Sequence, residues 1–303
     1  MDRLAALAAF VSVVEAGGFA AAGRRMELSR SAVNRLVIAL EDELGAQLLN
    51  RTTRKVAPTS TGAAFYDRAK RIIGDLDDAV RSVGDGDAEP RGELRINAPM
   101  SFGTLHLASA IADFMVRHPA LRVRLDLNDR FVDIVAEGFD LTVRIAAPDE
   151  NSNLVDFRIG PVRRAVCAAP ALLRRLGTPD HPDRLADMPC LHYGNLASGN
   201  RWHLSGPDGD IRVTVNGVLC SNNGEVLRDA AVRGLGFALL PTFIVGRQLQ
   251  TGELVTVLPE FRPPELMLCV VYPPNRHLSA GIRLFTDFMV ERFGGQAYWD
   301  LVE

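Results

Sequence analysis

Cysteine is scarce in this chain. The 303 residues hold four, Cys167, Cys190, Cys220 and Cys269, with neither metal-ligand spacing nor a paired pattern. That excludes a disulfide-stapled secreted domain and fits a reducing cytoplasm. The six histidines show no ligand spacing such as His-x-x-x-His, so no metal site is expected. No apolar run approaches the length that crosses a bilayer, about 20 residues. The apolar stretch Leu4 to Val14 is broken by Glu15 and has helical periodicity, so it reads as a first helix rather than a signal peptide. No membrane partner is expected. Catalytic signatures are missing as well: there is no Gly-x-Ser-x-Gly elbow, no Gly-x-x-x-x-Gly-Lys phosphate loop and no Gly-x-Gly-x-x-Gly. Gly234-Leu235-Gly236 precedes a strand instead of following one, which makes it a turn. The expectation is a protein that is not an enzyme and carries no cofactor. Lysine is nearly absent, with Lys55 and Lys70 alone among 34 basic residues. Arginine's dominance suits forked contacts to bases and phosphates, and a GC-rich genome produces the same bias.

What is present is length for two or more domains and 47% apolar residues, enough for proper cores. The net charge of −3 argues against generic nucleic-acid binding, yet it conceals an asymmetry. Residues 1–72 carry eleven basic and seven acidic side chains, a balance of +4 that leaves −7 for the remainder. The positive segment contains the most informative pattern. Two short amphipathic helices meet at a Ser-containing turn, and a basic run Arg51-Thr52-Thr53-Arg54 follows, the build of a winged helix-turn-helix. Ser29 is placed as an N-cap. Val33, Leu36, Val37, Leu40 and Leu44 recur at steps of three and four and predict one buried stripe. Arg30, Ser31, Asn34 and Arg35 fall on the other face near the helix start, where arginine forks onto guanine and asparagine onto adenine. Leu44-Gly45 stops the helix. A solvated polar face is the alternative for such residues in isolation; the order helix, turn, helix, glycine stop and basic wing favours DNA. Ser29, Arg30, Ser31, Asn34, Arg35, Arg51 and Arg54 are the candidate contacts.

With these residues in hand, the segment from 1 to about 86 closely resembles the N-terminal half of LysR-type transcriptional regulators. The resemblance rests on Phe10, Val14, Gly17-Gly18-Phe19, Ala21-Ala22, Leu28-Ser29, Ala32-Val33, Leu40-Glu41, Leu44-Gly45, Leu48-Leu49, Arg51, Arg54 and Thr61-Gly62. The family usually has Gln-Pro or Gln-Ser at Arg30-Ser31, Ser-Arg at Asn34-Arg35, and a Leu-Thr wing end at Val56-Ala57-Pro58-Thr59. These departures leave the fold intact and bear on the preferred base sequence. The resemblance also makes an oxidant-sensing cysteine conceivable beside the plainer reading of buried structural thiols.

After Pro58 a helix is predicted to about Val83, capped by Thr59, Ser60 or Thr61. Phe65, Ala69, Ile72, Leu76, Ala79 and Val83 alternate steps of four and three, a heptad seam. Such a helix either packs on its own domain or pairs with a second chain. The resemblance implies a coiled-coil homodimer, which in this family commonly pairs into tetramers, reading an interrupted palindrome in double-stranded DNA. Gly84 to Gly92 is rich in glycine and charge and reads as a hinge. The expected division is a DNA-binding domain at 1–58, a linker helix and hinge at 59–90, and an effector-binding domain at 91–303.

Beyond the hinge, strands and helices alternate: Glu93 to Ala98, a helix Phe102 to His118, Leu121 to Leu127, a helix Phe131 to Glu137, and Asp140 to Ile145. That order predicts parallel strands with crossover helices. A second cycle runs from the strand Ile211 to Val215 through a helix Glu225 to Arg233 to the strand Phe237 to Leu240 and a helix after Pro241; a strand Leu266 to Tyr272 and a helix Ser279 to Phe293 close the chain. Periodicity supports α/β. The resemblance, carried by Leu94 to Pro99, Glu137 to Arg144 and Gly234 to Pro241, implies a two-lobed, periplasmic-binding-protein-like effector domain with its ligand between the lobes.

Candidate effector residues lie at strand ends and loops. Pro99 to Gly103 joins a strand to a helix start, where free amides and the Ser101 hydroxyl would suit an anion; Ser101 is equally placed as a helix cap. Asn128 ends the next strand. Arg144 is placed to pair with a ligand carboxylate or to form an inter-lobe salt bridge. Tyr193 and Asn195 fall in an irregular stretch, and Asn222 and Asn223 precede a helix that one of them caps. The expected effector is small, polar and anionic, and RNA polymerase is a further partner implied by the family. Two other classes compete: an enzyme carrying a DNA-binding head, opposed by the missing motifs, and a plain solute-binding protein, opposed by the absent signal peptide and the basic N-terminal block.

Overall fold

Three helices, a two-stranded wing and a long fourth helix make up the first of two units into which the chain divides, Met1–Gly92 and Glu93–Glu303. The computed structural model describes residues 2–51, 56–84, 90–147, 154–194, 200–274, 279–295 and 297–300, with backbone alone at 51, 71, 75 and 77–84.

Helix α1 (Arg3–Ala16) starts under Asp2, whose carboxylate accepts the amides of Leu4 and Ala5, and stops at Gly17 with φ 71°. After α2 (Phe19–Arg25), Ser29 opens α3 (Arg30–Leu44) by accepting the Ala32 amide at 3.1 Å. Gly45, at φ 63°, ends it in the left-handed conformation that glycine adopts without strain. Val33, Val37 and Leu40 are buried and Leu36 packs beside them, but Leu44 is 44% exposed, contrary to the stripe read from the sequence. Glu41 takes the inward position, only 9% exposed, because its Oε1 accepts the amides of Leu48 (2.8 Å) and Leu49 (3.0 Å). The carboxylate thus fastens the wing strands β1 (Leu49–Arg51) and β2 (Val56–Pro58), an antiparallel pair, to the helix.

Thr59 accepts the Gly62 amide at 2.9 Å and starts α4 (Ser60–Gly84). Gly62 lies so close to the wing that a Cβ there would sit 1.9 Å from the Leu48 carbonyl oxygen. The first two turns of α4 correct the expected dimer seam. Phe65 packs on the winged domain's own core, its ring 5.7 Å from Phe10, and Ala69 is fully buried there. Ile72 and Leu76 are exposed, at 48% and 40%; the side chains of Ala79 and Val83 lie outside the described residues.

The second unit holds two five-stranded sheets. From β3 (Gly92–Ala98) the chain passes through α5 (Met100–Phe102), a π turn at Gly103–Leu107, α6 (Ala108–Arg117), β4 (Leu121–Leu127), α7 (Ile134–Glu137), β5 (Leu141–Ala146) and β6 (Val155–Val162). It then crosses to β7 (Arg164–Ala168), α8 (Pro170–Leu176), β8 (Pro189–Tyr193), β9 (Arg201–Gly206), β10 (Gly209–Thr214), β11 (Asn216–Ser221), α9 (Gly224–Val232), β12 (Phe237–Pro241), α10 (Thr242–Gln250) and β13 (Val255–Thr256). It returns as β14 (Leu266–Tyr272) and α11 (Ala280–Phe293). The first sheet has the order β4-β3-β5-β14-β6 and the second β11-β8-β12-β7-β13. β3 and β5 are parallel, as are β8, β11 and β12. The expected all-parallel order fails where the chain changes sheets: β14 runs antiparallel to β5 and β6, and β7 to β12. A strand that crosses between sheets enters from the opposite end. Ile211 to Val215 is also displaced. It belongs to a separate antiparallel hairpin, β9-β10, and the sheet strand before α9 is β11. The helix expected from Phe131 begins only at Ile134, under Asp133, which accepts the Val135 and Ala136 amides.

The two sheets share one apolar core. Phe102 of the first lobe meets Phe243 of the second edge-on at 5.5 Å, and a C-terminal turn, Tyr298–Asp300, lays Trp299 against both. His106 sits in the same cluster, 4.7 Å from the Trp299 ring. Its Nε2 is 2.8 Å from the Phe243 carbonyl, which only accepts, so Nε2 carries the proton and Nδ1 accepts from the Tyr298 hydroxyl.

Two predictions follow from these contacts. Glu41→Ala leaves two buried amides unpaired, at a cost of about 1–3 kcal/mol each; hydrogen exchange at Leu48 and Leu49 will speed up accordingly, and unchanged protection there would refute the fastening role. Burial holds the His106 pKa below its ordinary value, with the Phe243 bond opposing. The unfolded chain therefore takes the proton first as pH falls below about 6.5, so this contribution to stability is complete above that pH and lost below it. His106→Gln will reduce the loss of melting temperature between about pH 7 and pH 5; His192, also buried with a lowered pKa, accounts for a residual slope of the same sign.

Candidate functional site

In the first unit, the start of α3 presents Ser29, Arg30, Ser31 and Arg35 to solvent, with Asn34 half-buried behind them. The hydroxyls of Ser29 and Ser31 are 3.0 Å apart, so Ser31 steadies the capping serine. No acidic residue occupies the first turn of α3, which leaves its positive helix end and two guanidiniums facing outward. Arg51 ends β1, its side chain outside the described residues, and Arg54 lies outside them altogether.

In the second unit, the C-terminal ends of β3, β4 and β5 face those of β8 and β12 across a cavity of about 420 Å³. Its walls are mainly apolar: Phe102, Val132, Leu239, Phe243, Ile244 and Leu266. Four of the residues singled out from sequence line it, namely Ser101, Asn128, Arg144 and Tyr193. Asn195 lies outside the described residues. Asn222 is exposed and Asn223 caps α9 by accepting the Val226 amide at 3.0 Å; neither is among the lining residues, which corrects their placement as ligand groups.

The roles differ from those expected. Ser101 neither caps a helix nor stands free: it is 3% exposed and its hydroxyl donates to Glu225 Oε2 of the other lobe at 3.0 Å. The Met100 amide, expected to await an anion, already donates to Asp129 Oδ1 at 3.0 Å. Tyr193 closes β8 and is no loop residue; burial pushes its pKa up, and Asp129, by charge and hydrogen bond, and Glu225, by charge, push it further. Arg144 makes no salt bridge among the described residues and lies over the Phe131 ring, 5.8 Å from its centroid, while Phe131 itself is 82% exposed at the cavity rim. Asn97 and Thr142 form the floor: the Thr142 hydroxyl donates to Asn97 Oδ1 at 3.1 Å, and Asn97 Nδ2 to the Asp126 carbonyl at 3.2 Å.

Sequence reading missed Arg164 and Asp129. Arg164 opens β7 at the crossing between lobes. One Nη2 proton goes to the Pro264 carbonyl at 2.8 Å, Nε is buried without a partner, and no carboxylate pairs with it among the described residues. Burial accordingly lowers its pKa. Asp129 was one residue from the chosen Asn128, a signal that was available; the crossing strand that carries Arg164 had none. Three of the cysteines are buried, with pKa values pushed up to about 12 chiefly by burial; Cys220 is exposed on β11. Among the described residues no group of His, Cys, Asp and Glu could hold a metal ion, and no single helix is long and apolar enough to cross a membrane.

Comparisons with known proteins agree with this arrangement. Residues 4–63 match the model for the bacterial regulatory helix-turn-helix protein, lysR family, and residues 87–294 the LysR substrate binding domain. A transcriptional regulator of Haemophilus influenzae is 37% identical over 278 residues, covering 92% of this chain and 96% of its own. The regulator PtxR of Pseudomonas aeruginosa is 33% identical, covering 96% and 93%. Among solved structures, CrgA of Neisseria meningitidis superposes with a TM-score of 0.63 at 30% identity, covering 96% of this chain and 98% of that one.

Arg35→Ala should weaken binding to a duplex selected from a random pool by about tenfold or more, since a forked base contact is worth roughly 1–3 kcal/mol. Binding to unselected DNA should change far less. Equal losses on both would remove Arg35 from the base-reading face.

Proposed function

The chain belongs to the LysR-type transcriptional regulators, and on that footing we propose that it reads an interrupted palindrome in double-stranded DNA as a homodimer under control of an anionic effector. The DNA-binding domain spans 1–58, the linker 59–90 and the effector domain 91–303. Arg30, Ser31, Asn34 and Arg35 read base edges from the first turns of α3, with Arg51 and Arg54 on the backbone. The positive balance of the N-terminal segment makes that binding salt-dependent. Ile72 and Leu76, exposed on α4, continue through Ala79 and Val83 as the seam between two chains. Dimers of this kind pair further into tetramers and act on RNA polymerase in the cytoplasm.

The observation that carries the effector reading is Arg164. Its guanidinium is partly withdrawn from water, with Nε buried and no counter-ion among the described residues, and a ligand carboxylate would supply the missing partner. Arg144 stands on the same cavity and reinforces the preference for an anion. The ligand is bound and released unchanged. Effector and DNA then influence each other's affinity reciprocally: a tenfold change needs about 1.4 kcal/mol of coupling, within reach of a few cleft hydrogen bonds. Ser101 and Glu225, joined across the cleft, are placed to sense whether the lobes are together.

A thermal-shift screen of the full-length protein against small carboxylates tests this reading. A stabilising acid should lose about tenfold or more in affinity on Arg164→Gln, the loss of a charge-assisted hydrogen bond of roughly 1.5–3 kcal/mol. A shift that survives both Arg164→Gln and Arg144→Ala would place the acid outside the cavity.

A further inference from the structure

The cavity has a second pole, and the inference drawn from it rests on the cleft reading above. Arg164 opens β7 and Tyr193 closes β8, with β12 between them. Pro241 of β12 stands opposite Arg164, and β8 runs parallel to β12 on its other side. Both line the cavity, and their backbones are two strand spacings apart along the sheet edge, about 10 Å.

At the Tyr193 end the charge is negative. Asp129 and Glu225 both act electrostatically on the Tyr193 hydroxyl, one from each lobe. Asp129 accepts the Met100 amide, and Glu225 accepts the Ser101 hydroxyl and, at 3.3 Å, the Asn223 side-chain amide. Those donors are neutral. Neither carboxylate has a cationic partner among the described residues, just as Arg164 has no anionic one. Between the poles the wall is apolar, formed by Leu239, Pro241 and Phe243.

This distribution decides between ligand classes. A plain carboxylate satisfies Arg164 and leaves two negative charges facing each other. A dicarboxylate puts a third negative charge beside Asp129 and Glu225, where like charges repel across a poorly screened space. A molecule with an ammonium at one end, a carboxylate at the other and an apolar spacer satisfies both poles and covers the wall. We propose that the effector is such a bipolar molecule, an ω-amino acid, its ammonium on Asp129, whose Oδ2 has no hydrogen-bond partner, with the Glu225 charge behind Ser101, and its carboxylate on Arg164.

Titration calorimetry of the full-length protein with γ-aminobutyrate, δ-aminovalerate and ε-aminocaproate, each beside its deaminated acid, tests the proposal. At least one amino acid should bind tenfold or more tighter than its deaminated counterpart. Asp129→Asn, which keeps a hydrogen-bond acceptor and removes the charge, should erase most of that preference, and Glu225→Gln, which removes the charge behind Ser101, should reduce it. The two variants are independent, so one suffices if the other does not fold. Arg164→Gln should weaken amino acid and deaminated acid alike. Failure of all three amino acids to bind overturns the proposal. Deaminated acids that bind as tightly, through Arg164 and without regard to Asp129→Asn or Glu225→Gln, overturn it while leaving the anion reading intact. Binding indifferent to Arg164→Gln and Arg144→Ala overturns both.

Discussion

The regulatory unit depends on the contact in which the edge of Phe102 meets Phe243 under the indole of Trp299. These rings belong to two different sheets, and without them each sheet would have a separate apolar face to bury. Because the core is common to both lobes, the lobes cannot separate freely; any rearrangement has to slide or rotate about this cluster. The same two phenylalanines line the cavity. A ligand therefore packs directly against the residues that set the angle between the lobes, which is the simplest physical route from occupancy to shape. His106 adds direction to an otherwise greasy contact, tying the Phe243 carbonyl to the C-terminal turn.

Around that fulcrum, polar groups are arranged by what the backbone leaves unpaired. A helix start ordinarily invites an anion, and here the chain supplies its own: Asp129 on the first turn of α5, Glu225 at the start of α9. With those positions filled internally, the proposed anion is left to the other end of the cavity, where Arg164 is held by a carbonyl and, among the described residues, by no carboxylate. The cavity's selectivity thus arises from which charges are already satisfied rather than from the number of polar side chains that reach it.

Much of this was legible in the sequence, and the failures have physical causes. The reading head was written in local signals: an N-cap at Ser29, a stop at Gly45, a periodic stripe between them. Leu44 broke the stripe because a carboxylate, Glu41, had a better use for the inward position, and hydrophobicity alone does not anticipate a buried acid with two amide partners. Phe65 and Ala69 keep heptad spacing yet face the domain's own core, since spacing specifies a face and not what covers it. In the regulatory unit, strands β3, β4 and β14 were found at their observed positions within one or two residues. Strands β6 to β9 were not, although Val155-Asp156-Phe157-Arg158-Ile159 alternates cleanly, and with them went Arg164 on β7. Ser101 and Tyr193 line the cavity, but their partners lie more than thirty residues away in sequence and only the fold brings them together.

Glu41 and the reading residues occupy opposite ends of one helix. The carboxylate that fastens the wing sits three turns from Arg30, on the inward face. Grip and vocabulary are therefore separable in this head. If the proposed base-reading role holds, a descendant gene copy can alter Arg30, Ser31 or Asn34 and acquire a new operator while the wing stays anchored as before. Large sets of regulators with divergent targets and one common scaffold are the evolutionary outcome that such a division of labour permits.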